Sequence, residues 1–213
     1  MTPKVVGIDV GGDRKGFHAV ALQDGKFIDK KTDNKPEVIA EWCFAHKATI
    51  IAVDAPCRWS RTEKSRSAES ELMNKGIWCF STPRRESALQ RSFYKWVFNG
   101  EKLYKCLESN KYLLFNGEQT EAQLCIETFP QAIACALAGQ IVSAKHKARI
   151  RRDILQKYNY DISCLTSIDF VDAALCAVAG EDFRNGHYKP YGNREEGFIV
   201  VPETRNMGQN HIF

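Results

Sequence analysis

The stretch from residue 4 to residue 31, KVVGIDVGGDRKGFHAVALQDGKFIDKK, decides the fold. Lys4 to Val10 is rich in strand-forming residues and stops at Gly11-Gly12. Phe17 to Leu22 (FHAVAL) has the same character, and Asp24-Gly25 turns the chain into Lys26 to Lys31. Such turn dipeptides between β-rich runs are hairpin chemistry, since they tolerate the backbone angles tight turns require. Three antiparallel strands are expected. Next, Pro36 opens a helix with Val38, Ile39, Trp42 and Ala45 at helical spacing, and Thr49 to Val53 (TIIAV) reads as a buried strand ending at Asp54-Ala55-Pro56. A hairpin followed by a crossover allows this fourth strand to lie beside the first.

Further along, Arg61 to Lys75 is charged and helix-compatible up to Gly76. Glu86 to Tyr104 carries Leu89, Phe93, Trp96 and Val97 at three- and four-residue steps, a second helix. A helical insertion at about residues 57–122 is the expectation, within a single α/β domain spanning 1–213. Gln123 to Glu127 (QLCIE) reads as a short strand and Gln131 to Ala138 as an alanine-rich helix. Lys145 to Tyr158 reads as a basic helix, and Ile168 to Ala179 as an apolar one with two charges. Residues after Pro202 are expected to be loosely held.

Composition bounds the class. With 213 residues, 44% apolar and 26% charged, the chain has enough apolar material for a core, which excludes a disordered acidic tail, a collagen-like chain or a disulfide-stapled miniprotein. Lys and Arg number 30 against 26 Asp and Glu, so net charge alone decides nothing about nucleic acid. The eight cysteines form no CxxC pair, and several sit in apolar company, as reduced core thiols do. The N-terminus lacks a signal-peptide plan, and no apolar run approaches the ~18 residues of a membrane span. A cytoplasmic setting without membrane association is expected.

At four places acids stand where burial is otherwise demanded. Asp9 follows VVGI, Asp54 follows IIAV and Glu127 follows QLCI, while Asp169 and Asp172, three apart on one face, interrupt an apolar helix. Each alone also serves as a turn former or helix cap. Together, as buried carboxylates, they need donors or cations. Hard oxygen ligands favour Mg2+ or Mn2+, and two such ions activate water for phosphodiester cleavage.

GIDVGG near the N-terminus, IAVDAPC, RSAESELMNKGI leading to Thr82-Pro83, ETFPQA and DFVDAALCAVAG occur in an order that resembles the domain-of-unknown-function 429 family, predicted nucleases of ribonuclease-H-like fold. The resemblance covers residues 4 to 180, with EGFIVVP similar to the family's ending. It implies a mixed sheet of three antiparallel N-terminal strands plus parallel strands, flanked by helices. It also implies a catalytic metal site of Asp9, Asp54, Glu127 and Asp172, holding two Mg2+ or Mn2+ ions, with Asp169 behind it.

Basic residues mark a possible nucleic-acid path. Lys145, Arg149 and Arg152 share a face if Lys145 to Arg152 is helical. Arg58, Trp59, Arg61, Arg84 and Arg85 follow the predicted catalytic edge, with Trp59 as a stacking face. Two rival readings remain open. Asp9 to Asp13 also resembles the phosphate loop of actin-like and sugar-kinase ATPases, and a catalytically silent binding module would leave the acids paired with Arg or Lys.

Overall fold

The structure, a computed structural model, describes residues 3–62, 64–120 and 122–204. The three expected strands are present as β1 (Lys4–Val10), β2 (Phe17–Gln23) and β3 (Lys26–Asp33), paired antiparallel. Helix α1 (Pro36–Ala45) crosses over to β4 (Ala48–Asp54), which runs parallel to β1. Then follow α2 (Ser67–Asn74), the single turn α3 (Arg85–Ala88), α4 (Lys95–Ser109), β5 (Leu113–Leu114) and β6 (Leu124–Glu127). Helices α5 (Pro130–Ala138), α6 (Lys147–Lys157) and α7 (Ile168–Arg184) precede a closing hairpin of β7 (Tyr188–Asn193) and β8 (Gly197–Pro202). The strand order is β3-β2-β1-β4-β6-β8-β7, with β5 on β6; β1, β4, β6 and β8 run parallel and β2 and β7 oppose their neighbours. This is the mixed, helix-flanked sheet of the ribonuclease-H-like expectation.

Helices cover both faces of the sheet, so the central strands read as apolar runs rather than alternating ones. Alternation survives as a choice of core. Val5, Ala52 and Ile126 join the layer against α7, whereas Val6, Ile8, Ile51, Val53 and Cys125 join the layer containing Ile39 of α1 and Leu103 of α4. Gly7 lies on the α7 side. A Cβ there would run into the α7 backbone at Ala173 and Ala177, so glycine is what lets α7 press onto β1.

Three elements differ in extent from their sequence expectation. The expected helix from Glu86 to Tyr104 is broken, because Arg91 is extended (φ −111°, ψ 111°) and a short 3-10 turn at Ser92–Tyr94 precedes α4. Helix α2 starts at Ser67, not near Arg61: Glu196 accepts the N–H groups of Arg61 and Ser67 and holds the intervening chain as a loop. Helix α6 starts at Lys147, which leaves Lys145 ahead of it. The EGFIVVP stretch forms a strand of the closing hairpin, and Glu203 donates its N–H to His187 O at 3.0 Å; the rest of the tail, 205–213, lies outside the described residues.

Candidate functional site

The parallel register of β1 and β4 pairs Asp9 with Asp54, at about 4.8 Å between strands. Two residues beyond Gly7 on the same strand, Asp9 extends toward the α7 side, and Asp54 lies beside it. The N-terminal half of α7 brings Asp172 and Asp169 over this strand end. The pair pays electrostatically: Asp9 is raised from 3.8 to about 7 by burial first, then by Asp172 and Asp169. Asp54 is raised well above the usual carboxylate range by burial, then by Asp9 and Asp172, with Arg151 and Lys147 opposing. Asp9, Asp54 and Asp172 therefore lie near enough to perturb one another. Among the described residues, no side-chain hydrogen bond or ion pair is made to Asp9 or Asp54, although Lys15 and Lys147 act on Asp9, and Arg151 and Lys147 on Asp54, from a distance.

Asp172 and Asp169 differ from that pair in already having cations. Asp172 is buried and meets Arg151 Nη1, with Lys147 Nζ at 3.4 Å. Lys147 and Arg151 are one turn apart on α6, so a single helix face delivers both. Arg151 also donates to Gln131 Oε1 at 3.1 Å, while its buried Nε finds no partner among the described residues. Asp169 is bridged at 2.8 Å by Lys15 from the Gly11–Gly16 turn. His18 faces Asp9 across the β1–β2 ladder, its ring edge against Phe170 at 5.1 Å, and burial lowers its pKa. Lys15, His18, Lys147 and Arg151 escaped the sequence reading. The i, i+4 spacing of Lys147 and Arg151 carried the signal, since it sets both on the face that reaches Asp172, Arg151 buried and Lys147 half exposed.

Glu127 does not join the acids. It pairs in register with Val53, one residue short of Asp54, and so falls on the opposite side of the sheet. There it is 3% exposed and clasped by Arg66, itself 1% exposed, through Nη1–Oε2 at 2.8 Å and Nη2–Oε1 at 2.5 Å. It also accepts the Cys57 N–H at 2.8 Å. Burial and then Glu127 push the Cys57 thiol well up. Arg66 in turn donates to Glu69, which takes both the N–H and the hydroxyl of Thr82.

The expected substrate contacts are split. Arg58 and Arg61 reach Glu195 in the β7–β8 turn, Arg84 donates to Arg61 O at 2.9 Å, and Arg85 pairs with Glu101 and lies over the Phe98 ring. Trp59 packs on that same Phe98 at 4.8 Å. On α6, Arg149 is exposed and Arg152 reaches Ser167 O at 3.5 Å, but Lys145 precedes the helix, so the three do not share one helical face. The phosphate-loop reading of residues 9–13 meets a turn that spends the N–H groups of Gly11, Lys15 and Gly16 on its own carbonyls.

The donor set fits a hard divalent cation at Asp9 and Asp54, two carboxylates with unused oxygen lone pairs and mutual repulsion for a cation to relieve. Among the described residues, no three His, Cys, Asp or Glu side chains form a ready-made metal cage. Asp172 must share itself with Arg151 to contribute, and Glu127 faces away.

Helix α7 owes its start to Ser167, whose hydroxyl accepts the Phe170 N–H at 3.2 Å. Ser167→Ala is expected to cost about 1 kcal/mol, read as a lowered midpoint in urea denaturation; an unchanged midpoint rules out a contribution from the cap.

A family model described as "Protein of unknown function (DUF429)" matches residues 7–196, and the chain belongs to that family. No curated protein matches the chain. Among solved structures, the chain is similar to a Thermus thermophilus RuvC structure at 16% identity and TM-score 0.46, covering 86% of this chain and 96% of that one. Its own strand order carries the fold assignment. Among the described residues, no helix is long and apolar enough to cross a membrane.

Proposed function

We propose that the chain is a divalent-metal-dependent phosphodiesterase acting on nucleic acid. The observation that carries this reading is the register-matched pair Asp9 and Asp54, two mutually repelling carboxylates with no side-chain hydrogen bond or ion pair among the described residues, at the carboxyl ends of adjacent parallel strands. That is where α/β sheets place their chemistry. Asp9 and Asp54 would hold Mg2+ or Mn2+, joined by Asp172, with Asp169 behind. When bound, such a cation lowers the pKa of water and neutralises charge on a phosphoryl oxygen. The chain's own contribution is to orient the carboxylates on rigid strands and to set Lys15, Lys147 and Arg151 around them, where a phosphodiester needs positive charge.

A silent binding module has one observation in its favour: Asp169 and Asp172 are paired with Lys15, Lys147 and Arg151 as a degenerate site would leave them. The unpaired state of Asp9 and Asp54 favours the enzyme, because nothing in the fold alone gains from two repelling acids. The test is cleavage of labelled single- and double-stranded DNA and RNA and a four-way junction with Mg2+, Mn2+ or EDTA. We expect cleavage that EDTA abolishes and that Asp54→Asn lowers about 10^3-fold, the scale of several kcal/mol of metal-assisted stabilisation. Wild-type chain inactive on every substrate, or active Asp54→Asn, rejects the proposal.

A further inference from the structure

The segment from Lys75 to Lys95 holds five Lys or Arg residues against one acid, Glu86, interleaved with Trp78, Phe80, Phe93 and Tyr94. Residues 77–84 form an irregular arch between α2 and α3. Both feet of the arch are fixed. Ile77 is buried and donates its N–H to Leu72 O, and Thr82 is buried with its N–H on Glu69. Tyr94 adds a hydroxyl bond to Ser81 O at 3.3 Å. Between those feet the chain holds two large aromatics out into solvent, Trp78 at 80% exposure and Phe80 at 66%. Phe93, half exposed, meets Phe80 edge-on at 5.0 Å between centroids. Exposed rings on a well-anchored arch are not a failure of packing, because the same eight residues bury Ile77, Thr82 and Pro83.

The arch reaches the carboxyl end of β4 through a small crevice of about 50 Å³. The crevice is lined by Asp54, Phe80 and Trp96 together with Arg66, Glu69 and Glu127. This gives the buried Glu127–Arg66–Glu69 network a purpose. It ties the carboxyl end of β6 to Thr82, and so fixes the aromatic arch relative to the strand ends that carry Asp9 and Asp54.

We propose that Trp78, Phe80 and Phe93 form a base-stacking platform for single-stranded nucleic acid, leading an unpaired strand into the acid pair. Stacking needs free π-faces, which an unpaired strand supplies and a duplex hides; Arg85 and Lys95 are held by Glu101 and Asp13, and the exposed Lys75 and Arg91 of the same segment suit the strand's phosphates. The inference rests on the nucleic-acid reading of the Asp9 and Asp54 site, and deepens it by naming an unpaired strand as substrate.

The test is anisotropy of a labelled oligothymidylate, and of a duplex of equal length, with the full chain in EDTA, so that binding is measured without cleavage. We expect Trp78→Ala and Phe80→Ala each to weaken single-strand binding about tenfold, Phe80→Tyr to retain it, and the duplex to bind more weakly and to ignore all three changes. Melting midpoints of these variants are expected to match wild type, since the rings are exposed. Wild-type affinity in both alanine variants overturns the platform, as does equal binding of the duplex. Sedimentation showing a dimer that Trp78→Ala dissolves makes the patch a contact between copies of this chain and also overturns it. The two readings fail separately: platform-dependent binding with no cleavage in any metal rejects the nuclease and leaves the platform, whereas cleavage by wild type with unaltered binding in the variants does the reverse.

Discussion

Glu127→Ala is expected to destabilise the fold by about 3–5 kcal/mol, read as a large fall in the urea midpoint, because it strands the buried Arg66 guanidinium without its bidentate partner. Arg66 is 1% exposed, so water cannot replace the lost carboxylate. The Cys57 N–H loses its acceptor at the same time. A metal ligand behaves differently, since removing one of several repelling carboxylates relieves strain in the metal-free chain. The sign of the stability change thus separates the two roles: a neutral or stabilising Glu127→Ala overturns the structural assignment. The double variant Glu127→Ala with Arg66→Met is expected to recover only part of the loss, because buried Glu69 then lacks its own cation and keeps only the Thr82 and backbone donors.

That contrast also measures how far the sequence can be read. The N-terminal meander was legible because turn chemistry is local: Gly11-Gly12 and Asp24-Gly25 sit where the strands reverse. The meeting of Asp9 and Asp54 was legible because each ends a buried run and a crossover brings those runs side by side. Glu127 satisfied the same rule yet belongs elsewhere, since side-chain direction alternates with period two and depends on a register that only long-range pairing sets. A shift of one residue, Val53 opposite Glu127, moves that carboxylate to the other face. The α6 cluster failed for a related reason. Grouping Lys145, Arg149 and Arg152 on one face ignores which face packs, and the two that reach Asp172 are Lys147 and Arg151. Trp78 and Phe80 gave no periodic signal at all, because an anchored arch has no period.

Asp9→Asn is expected to make the metal-free chain more stable at pH 8 while removing cleavage. Burial and the neighbouring acids raise Asp9 from 3.8 to about 7. The folded chain therefore keeps a proton that the unfolded chain releases between about pH 4 and pH 7. Stability from this group is fully present below the unfolded value and is lost as pH rises through 7. The interval from 3.8 to about 7 corresponds to a penalty of about 4 kcal/mol at pH 8, an upper limit because removing Asp9 also eases Asp54 and loses attraction to Lys15 and Lys147. Asparagine has the same shape and no charge, so the variant is expected to gain about 2–4 kcal/mol at pH 8 and almost nothing at pH 4. Urea denaturation at the two pH values checks this; parallel pH profiles for the two proteins reject it. Adding Mn2+ should reverse the order. A cation at about 1,000 times its Kd stabilises the wild type by about 4.1 kcal/mol, enough to offset that advantage, and the variant, short of one ligand, is expected to gain less. A chain that is more stable without its acid than with it, until a divalent ion is supplied, holds that acid for chemistry rather than for folding.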